Sequence, residues 1–155
     1  MTETLAISVG YQDALFTTPV VATNIANPLL KEMLSELKNT HRKFTFLCGH
    51  DSNIISVLAA LTAENYSLPY TVERKSPIGC EIVISEWTKA GDSDKYISVN
   101  MVYQSTDQVR GIAMLDEKHP PMVYPLSFVG LNKNEDGYYK KTDIIKRFEE
   151  VISKY

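Results

Sequence analysis

The chain has 155 residues, 44% of them hydrophobic, and its 16 Lys and Arg against 19 Asp and Glu leave a net charge of -3. That size suits one domain around one core. No excess positive charge is available to grip a nucleic-acid backbone. No uninterrupted apolar run approaches the ~20 residues of a membrane-spanning helix, so neither nucleic acid nor membrane is expected as a partner. The opening MTETLAISVG lacks the basic start and apolar stretch of a signal peptide, which places the chain as written in the cytosol.

In chain order, the first fifteen or so residues read as irregular. From Thr18 onward Val21, Ile25, Leu29, Met33 and Leu37 recur at near-helical spacing, widened by Leu30 and Leu34. Pro28 interrupts the stripe; Asn27 before it reads as an N-cap, predicting two abutting helices or a kink. Phe44 to Cys48 is a short apolar run rich in aromatic and β-branched residues and bounded by Gly49, as for a strand buried on both faces. Ile54 to Leu61 then reads as a helix. CEIVISEW (Cys80 to Trp87) and YISVNMVYQ (Tyr96 to Gln104) alternate as half-buried strands do, and the turn-forming KAGDSDK between them predicts an antiparallel hairpin. Met122 to Phe128 is a third β candidate. Asp143 to Tyr155 closes the chain as a helix with Ile144, Ile145, Phe148, Val151 and Ile152 along one side. The sum is a mixed α/β chain of one domain, residues 1–155, with no repeat or linker.

Cys48 and Cys80 have neither CxxC spacing nor a neighbouring histidine array, so buried free thiols are expected, with a bridge between them left open, and a zinc site is not. If Phe44 to Cys48 is a strand and Ile54 begins a helix, then Gly49, His50, Asp51 and Ser52 form the turn between them. Such turns lie beyond the carboxyl ends of strands, where ligands of α/β sheets bind and helix N-termini attract anions. A histidine there can hydrogen-bond a phosphate oxygen, and a carboxyl group can carry a proton to or from a reacting atom. The same residues also fit a purely structural role, with Asp51 or Ser52 capping the helix and His50 a satisfied polar group at the edge of the sheet. His41 and His119 read as loop residues, and Arg42, Arg74, Arg110 and Arg147 as solvated surface.

FLCGHDSNIISVLAAL, then ERKSPIGCEIVISEW, then YISVNMVYQSTDQVRG resemble the carboxyl-terminal half of the bacterial histidine acid phosphatases, the group that includes glucose-1-phosphatases and periplasmic phytases. YQDALFTTPVVATNIANPLL resembles the helix that precedes the HD strand of that family, so the likeness spans nearly the whole chain. It implies the carboxyl-terminal portion of the phosphoglycerate mutase-like fold, a mixed sheet flanked by helices with an antiparallel hairpin. In this family the phosphoryl group moves onto the histidine of an amino-terminal RHGxRxP motif, and water then releases it. Carried over residue by residue, the resemblance makes His50 the phosphate-binding group that stabilises the transition state and Asp51 the proton donor to the departing alcohol. Glu73 and Arg74, just before SPIG, would lie near the substrate pocket. No cofactor or metal is implied, and the expected ligand is a phosphomonoester such as a sugar phosphate.

Two departures qualify these implications. No RHG tripeptide occurs in the 155 residues, so the nucleophile and its flanking arginines are missing from this sequence. Family members often carry a cysteine pair in the region matching VGLNKNEDGYYKK, where this chain has none; with no signal peptide in view, the periplasmic address of the family is not carried over. Two readings follow. In one, the chain is a partial histidine acid phosphatase domain completed by an amino-terminal half; in the other, it is a non-catalytic remnant or interaction module that keeps the fold and self-associates.

Overall fold

The computed structural model describes residues 7, 10–11 and 14–155. Helix α1 (Pro19–Lys38) begins as its sequence dictates, with Thr18 at the N-cap and Pro19 in the first turn, where a missing N–H costs nothing. It runs through Pro28 as one helix. The expected break at Asn27 does not form, because this residue is committed elsewhere: it is buried, and its carboxamide reaches the Ile152 carbonyl at 3.4 Å. The buried stripe is correspondingly rotated, with Ala22, Ala26 and Leu30 in the core and Ile25 more than a third exposed. The expectation of irregular structure before Thr18 is corrected where residues are described: Ile7, Gly10, Tyr11 and Ala14 to Phe16 are helical, and Ile7, Tyr11 and Leu15 share the four-residue spacing of one helix face. The rest of that segment lies outside the described residues.

Helix α2 (Asp51–Ala60) follows the GHD turn. Next come β1 (Glu81–Thr88), β2 (Lys95–Tyr103), the short α3 (Thr106–Arg110), β3 (Met122–Pro125), β4 (Tyr139–Lys140) and α4 (Lys141–Ile152). The hairpin forms as its alternation predicts, antiparallel, with Glu81 opposite Val102 and Thr88 opposite Lys95. Strands β3 and β4 share the other edge of β2, β3 pairing with its carboxyl half and β4 with Tyr96 and Ile97. Strand β2 is therefore paired along both edges, and its inward residues Ile97, Val99, Met101 and Tyr103 are all buried.

Helices α1, α2 and α4 pack together, and one apolar cluster joins Leu30, Val57, Leu58, Met101, Phe128 and Phe148. Each such side chain withdrawn from water stabilises the fold by about 1.5–3 kcal/mol. Arg147 ties the end of α2 to this core, donating to the Leu61 and Val129 carbonyls at 2.8 Å each and to the Thr62 hydroxyl. It is a half-buried structural clamp rather than the solvated surface residue its sequence context suggested, because Thr62 leaves the helix in a left-handed conformation (φ 59°) and its neighbours' carbonyls need a donor.

Phe44 to Cys48 departs most from expectation. It forms no strand with any described residue, and every residue from His41 to Asp51 is exposed. Phe44 keeps 82% and Phe46 64% of its surface in contact with solvent. A strand needs neighbours, and the described part of this chain spends its strands on the antiparallel sheet.

Candidate functional site

The GHD turn is held by a reciprocal cap. His50 has extended backbone (φ -109°, ψ 168°) and stands at the N-cap of α2; its carbonyl accepts the Asn53 N–H at 3.0 Å, and its own N–H donates to Asn53 Oδ1 at 2.9 Å. Asn53 thereby plays the part that Glu or Gln plays in a capping box. Gly49 suits the same contact, since a Cβ there would sit 3.1 Å from Asn53 Oδ1 and push it back. Neither Asp51 nor Ser52 is the N-cap, as the structural reading of the sequence had it. Asp51 is the first helical residue, and its Oδ1 accepts the Ser52 N–H at 2.7 Å. Asn53 thus holds His50 in place, Asp51 holds the Ser52 N–H, and both His50 and Asp51 are exposed.

A second turn brings the PIG segment alongside. The Cys80 N–H donates to the Pro77 carbonyl at 3.0 Å, and Gly79 has φ 72°, a left-handed value required at the third position of a type II turn. This turn starts β1 with Cys80 half-buried. Burial pushes its thiol up to about 11, and the carboxylates of Asp51, Glu73 and Glu81 add to the shift, which places all three in its electrostatic neighbourhood. Cys80 is thus a neutral thiol at physiological pH and no nucleophile. Of the two residues flagged ahead of SPIG, Glu73 is half-buried in this group and Arg74 is exposed. Sequence reasoning missed Asn53 and Cys80 here. Asn53 was visible as a polar residue three positions after the candidate N-cap; Cys80 was not, because only the fold brings it to Asp51.

The other candidates do not extend the site. The His119 ring lies 3.1 Å from Asp116 in an exposed loop, and His41 is exposed with its backbone N–H on Asn39. Arg42 pairs with Glu36 at 2.6 Å. Among the described residues no group of three or more His, Cys, Asp and Glu is placed to hold a metal ion. What the turn offers is an imidazole and a carboxyl at the opening of a ten-residue helix, where the backbone dipoles favour an anion.

Residues 7–104 match the histidine phosphatase superfamily (branch 2). The chain is 35% identical to the glucose-1-phosphatase of Providencia rettgeri over 149 residues, which are 94% of this chain and 34% of that protein. It is 38% identical to the glucose-1-phosphatase of Salmonella typhimurium over 132 residues, 83% of this chain and 32% of that one. The phytase of Citrobacter braakii superposes with a TM-score of 0.84 at 26% identity, over 95% of this chain and 40% of the phytase chain. The chain therefore spans about a third of the length of its curated relatives. A match running from the first helical residues through the GHD turn to the end of the hairpin places it by descent: this chain belongs to the histidine phosphatase superfamily, branch 2.

Proposed function

We propose that the chain carries the His-Asp part of a glucose-1-phosphatase-type phosphomonoesterase site. His50 hydrogen-bonds the phosphoryl oxygens and stabilises the charge they carry in the transition state. Asp51 gives its proton to the departing alcohol oxygen. The observation that carries this reading is the Asn53 contact that holds His50 at the N-cap, with His50 and Asp51 both exposed at an anion-favouring helix end. The nucleophile and the cationic clamp must come from an RHGxRxP segment, because the 155 residues contain no RHG and Cys80 is not a thiolate. The absence of RHG also favours a second reading, a non-catalytic module that retains the fold.

A covalent chimera tests both readings. The amino-terminal portion of the Providencia rettgeri glucose-1-phosphatase, outside the region matched here, is joined to this chain and assayed in mildly acidic buffer. Turnover of glucose 1-phosphate is expected, with kcat falling ~10²–10⁴-fold in Asp51→Ala. The loss should be much smaller on p-nitrophenyl phosphate, whose leaving group departs without a proton. His50→Ala should depress both substrates. A folded chimera without turnover would favour the non-catalytic module, and equal losses on the two substrates in Asp51→Ala would remove Asp51 from the proton-donor role.

A further inference from the structure

At the end of β1 away from the GHD turn, two turns close on a polar cleft of about 430 Å³ that the proposed reaction does not use. One is the hairpin tip, residues 89–94; the other is the turn 134–138, where the Tyr138 N–H donates to Asn134 Oδ1 at 2.8 Å. They are fastened to each other twice. Lys89 Nζ reaches Asp136 Oδ2 at 3.3 Å, and the Trp87 and Tyr138 rings stack with centroids 5.6 Å apart at 21°. The volume lies within the ~300–1,000 Å³ of small-molecule sites, and walls held in this way need little reordering to receive a ligand. The eight residues of β1, at ~3.3 Å each, set the cleft roughly 25 Å from the PIG turn.

The lining selects a chemistry. The carboxylates of Asp92, Glu135 and Asp136 outnumber the ammonium of Lys89, and the nearby Lys140 is paired with Asp94 at 2.7 Å. Such a cleft repels anions and suits a ligand rich in hydroxyl donors. The Tyr96 hydroxyl donates to Asp92 at 2.6 Å; that bond, then one from the Asp94 N–H, holds the Asp92 carboxyl below its ordinary value of 3.8 and keeps it an ionised acceptor. An aromatic surface adjoins these acceptors, because Trp87 lies directly across the hairpin from Tyr96 and on the same face. Its indole N–H is committed to Ser98 Oγ at 2.9 Å, so the 47% of Trp87 that stays open presents no free donor. The C–H groups on one face of a pyranose carry partial positive charge and stack on an aromatic ring, while the sugar hydroxyls donate to carboxylates. We propose that this cleft binds an unphosphorylated sugar, with Trp87 against the sugar face and Asp92 and Glu135 accepting from its hydroxyls. The site is separate from the GHD turn, and its assignment does not rest on the phosphatase reading.

Trp87 is the single tryptophan of the chain, so its emission reports on the cleft alone. Glucose and maltotriose are titrated against the full chain, with glycerol at matched concentrations as the solvent control. A saturable change is expected with both sugars and none with glycerol. Glucose 1-phosphate should bind the cleft more weakly than glucose, since the carboxylates repel its phosphate. Asp92→Asn and Glu135→Gln keep the shape of two exposed side chains and remove their charge; each should weaken glucose binding at least tenfold. Amide shifts in an isotope-labelled sample should map to residues 88–92 and 134–138. The proposal falls if neither sugar gives a saturable change, if glucose 1-phosphate binds the cleft more tightly than glucose, if both variants bind glucose as the parent does, or if the shifts map to residues 50–53 instead. Calcium chloride supplies the last arm: saturation by calcium without a response to sugar would overturn the proposal and make the cleft a cation site.

Discussion

Two stretches of this chain are equally suited to be strands, yet only one of them is a strand. YISVNMVY in β2 is paired along both edges, and Ile97 and Met101 are wholly buried. KFTFLC has a comparable density of apolar and aromatic residues and keeps most of its surface in water. The difference is in the company each keeps. Strand β2 meets β1 through a hairpin whose turn closes locally, with Gly91 at φ 81°, and such pairing costs little loop entropy. Residues 43–49 sit between two helices, and partners for a strand so placed come from elsewhere in the fold. Apolar patterning states that a strand is to be buried; only topology states whether the burying partner is local.

The sharpest way to break this comparison is to truncate one aromatic from each stretch's surroundings. Phe148, 2% exposed, fills the core beneath β2, and Phe148→Ala should lower unfolding stability by about 3–5 kcal/mol in urea titrations. Phe46→Ser should change it by no more than about 0.5 kcal/mol, the range for surface sites, while reducing self-association at high concentration. A loss of several kcal/mol in Phe46→Ser would mean that the segment is already packed in the isolated chain.

Most of the fold was legible because most of it is local. The hairpin, its partner β3 and the closing helix were all readable from periodicity, and their ends differ from expectation by a few residues at most. The site was legible only as residue types. GHD between an apolar run and a helix pointed to an exposed turn, but the reciprocal cap depends on the Asn53 side chain reaching back to His50, and the influence of Asp51 on Cys80 depends on the fold bringing together positions about thirty residues apart. Asn27 and Arg147 were misread for a related reason. Both are polar residues whose partners, the Ile152 carbonyl and the Leu61 and Val129 carbonyls, lie far away in sequence.

The two cysteines sample the two regions. Cys48, expected to be buried, lies in the unpaired segment and is exposed, because no described strand covers it; Cys80 opens β1 half-buried, its thiol raised to about 11. Alkylation with iodoacetamide at pH 8, followed by peptide mapping, should modify Cys48 at least tenfold faster, because the thiolate is the reacting species. Labelling of Cys80 should rise steeply only as pH climbs towards its raised value. A partner that covers residues 43–49 should then protect Cys48 and leave Cys80 unchanged, which separates it from one that covers the opening of the sheet.

The smallest effect is expected at the far end of the hairpin, where Glu86 accepts from Lys95 at 2.5 Å and from Lys141. The hydrogen bond from Lys141, then that from Lys95, holds the Glu86 carboxyl below its ordinary value of 4.5. A group whose folded pKa is depressed contributes stability that is present above the unfolded value and is lost as pH falls through the folded one. Glu86→Gln should therefore cost something at pH 7, and the difference from the parent should shrink once the pH drops below the carboxyl's ordinary value and vanish only when the folded carboxyl is itself protonated. Because the Glu86 side chain is 37% exposed, solvent screens the pair and the cost should stay within about 1 kcal/mol, smaller still in high salt. Lys141 is only 13% exposed and begins α4, so an effect clearly above that ceiling would show that this contact, unlike anything on the unpaired segment, fixes the helix to the sheet.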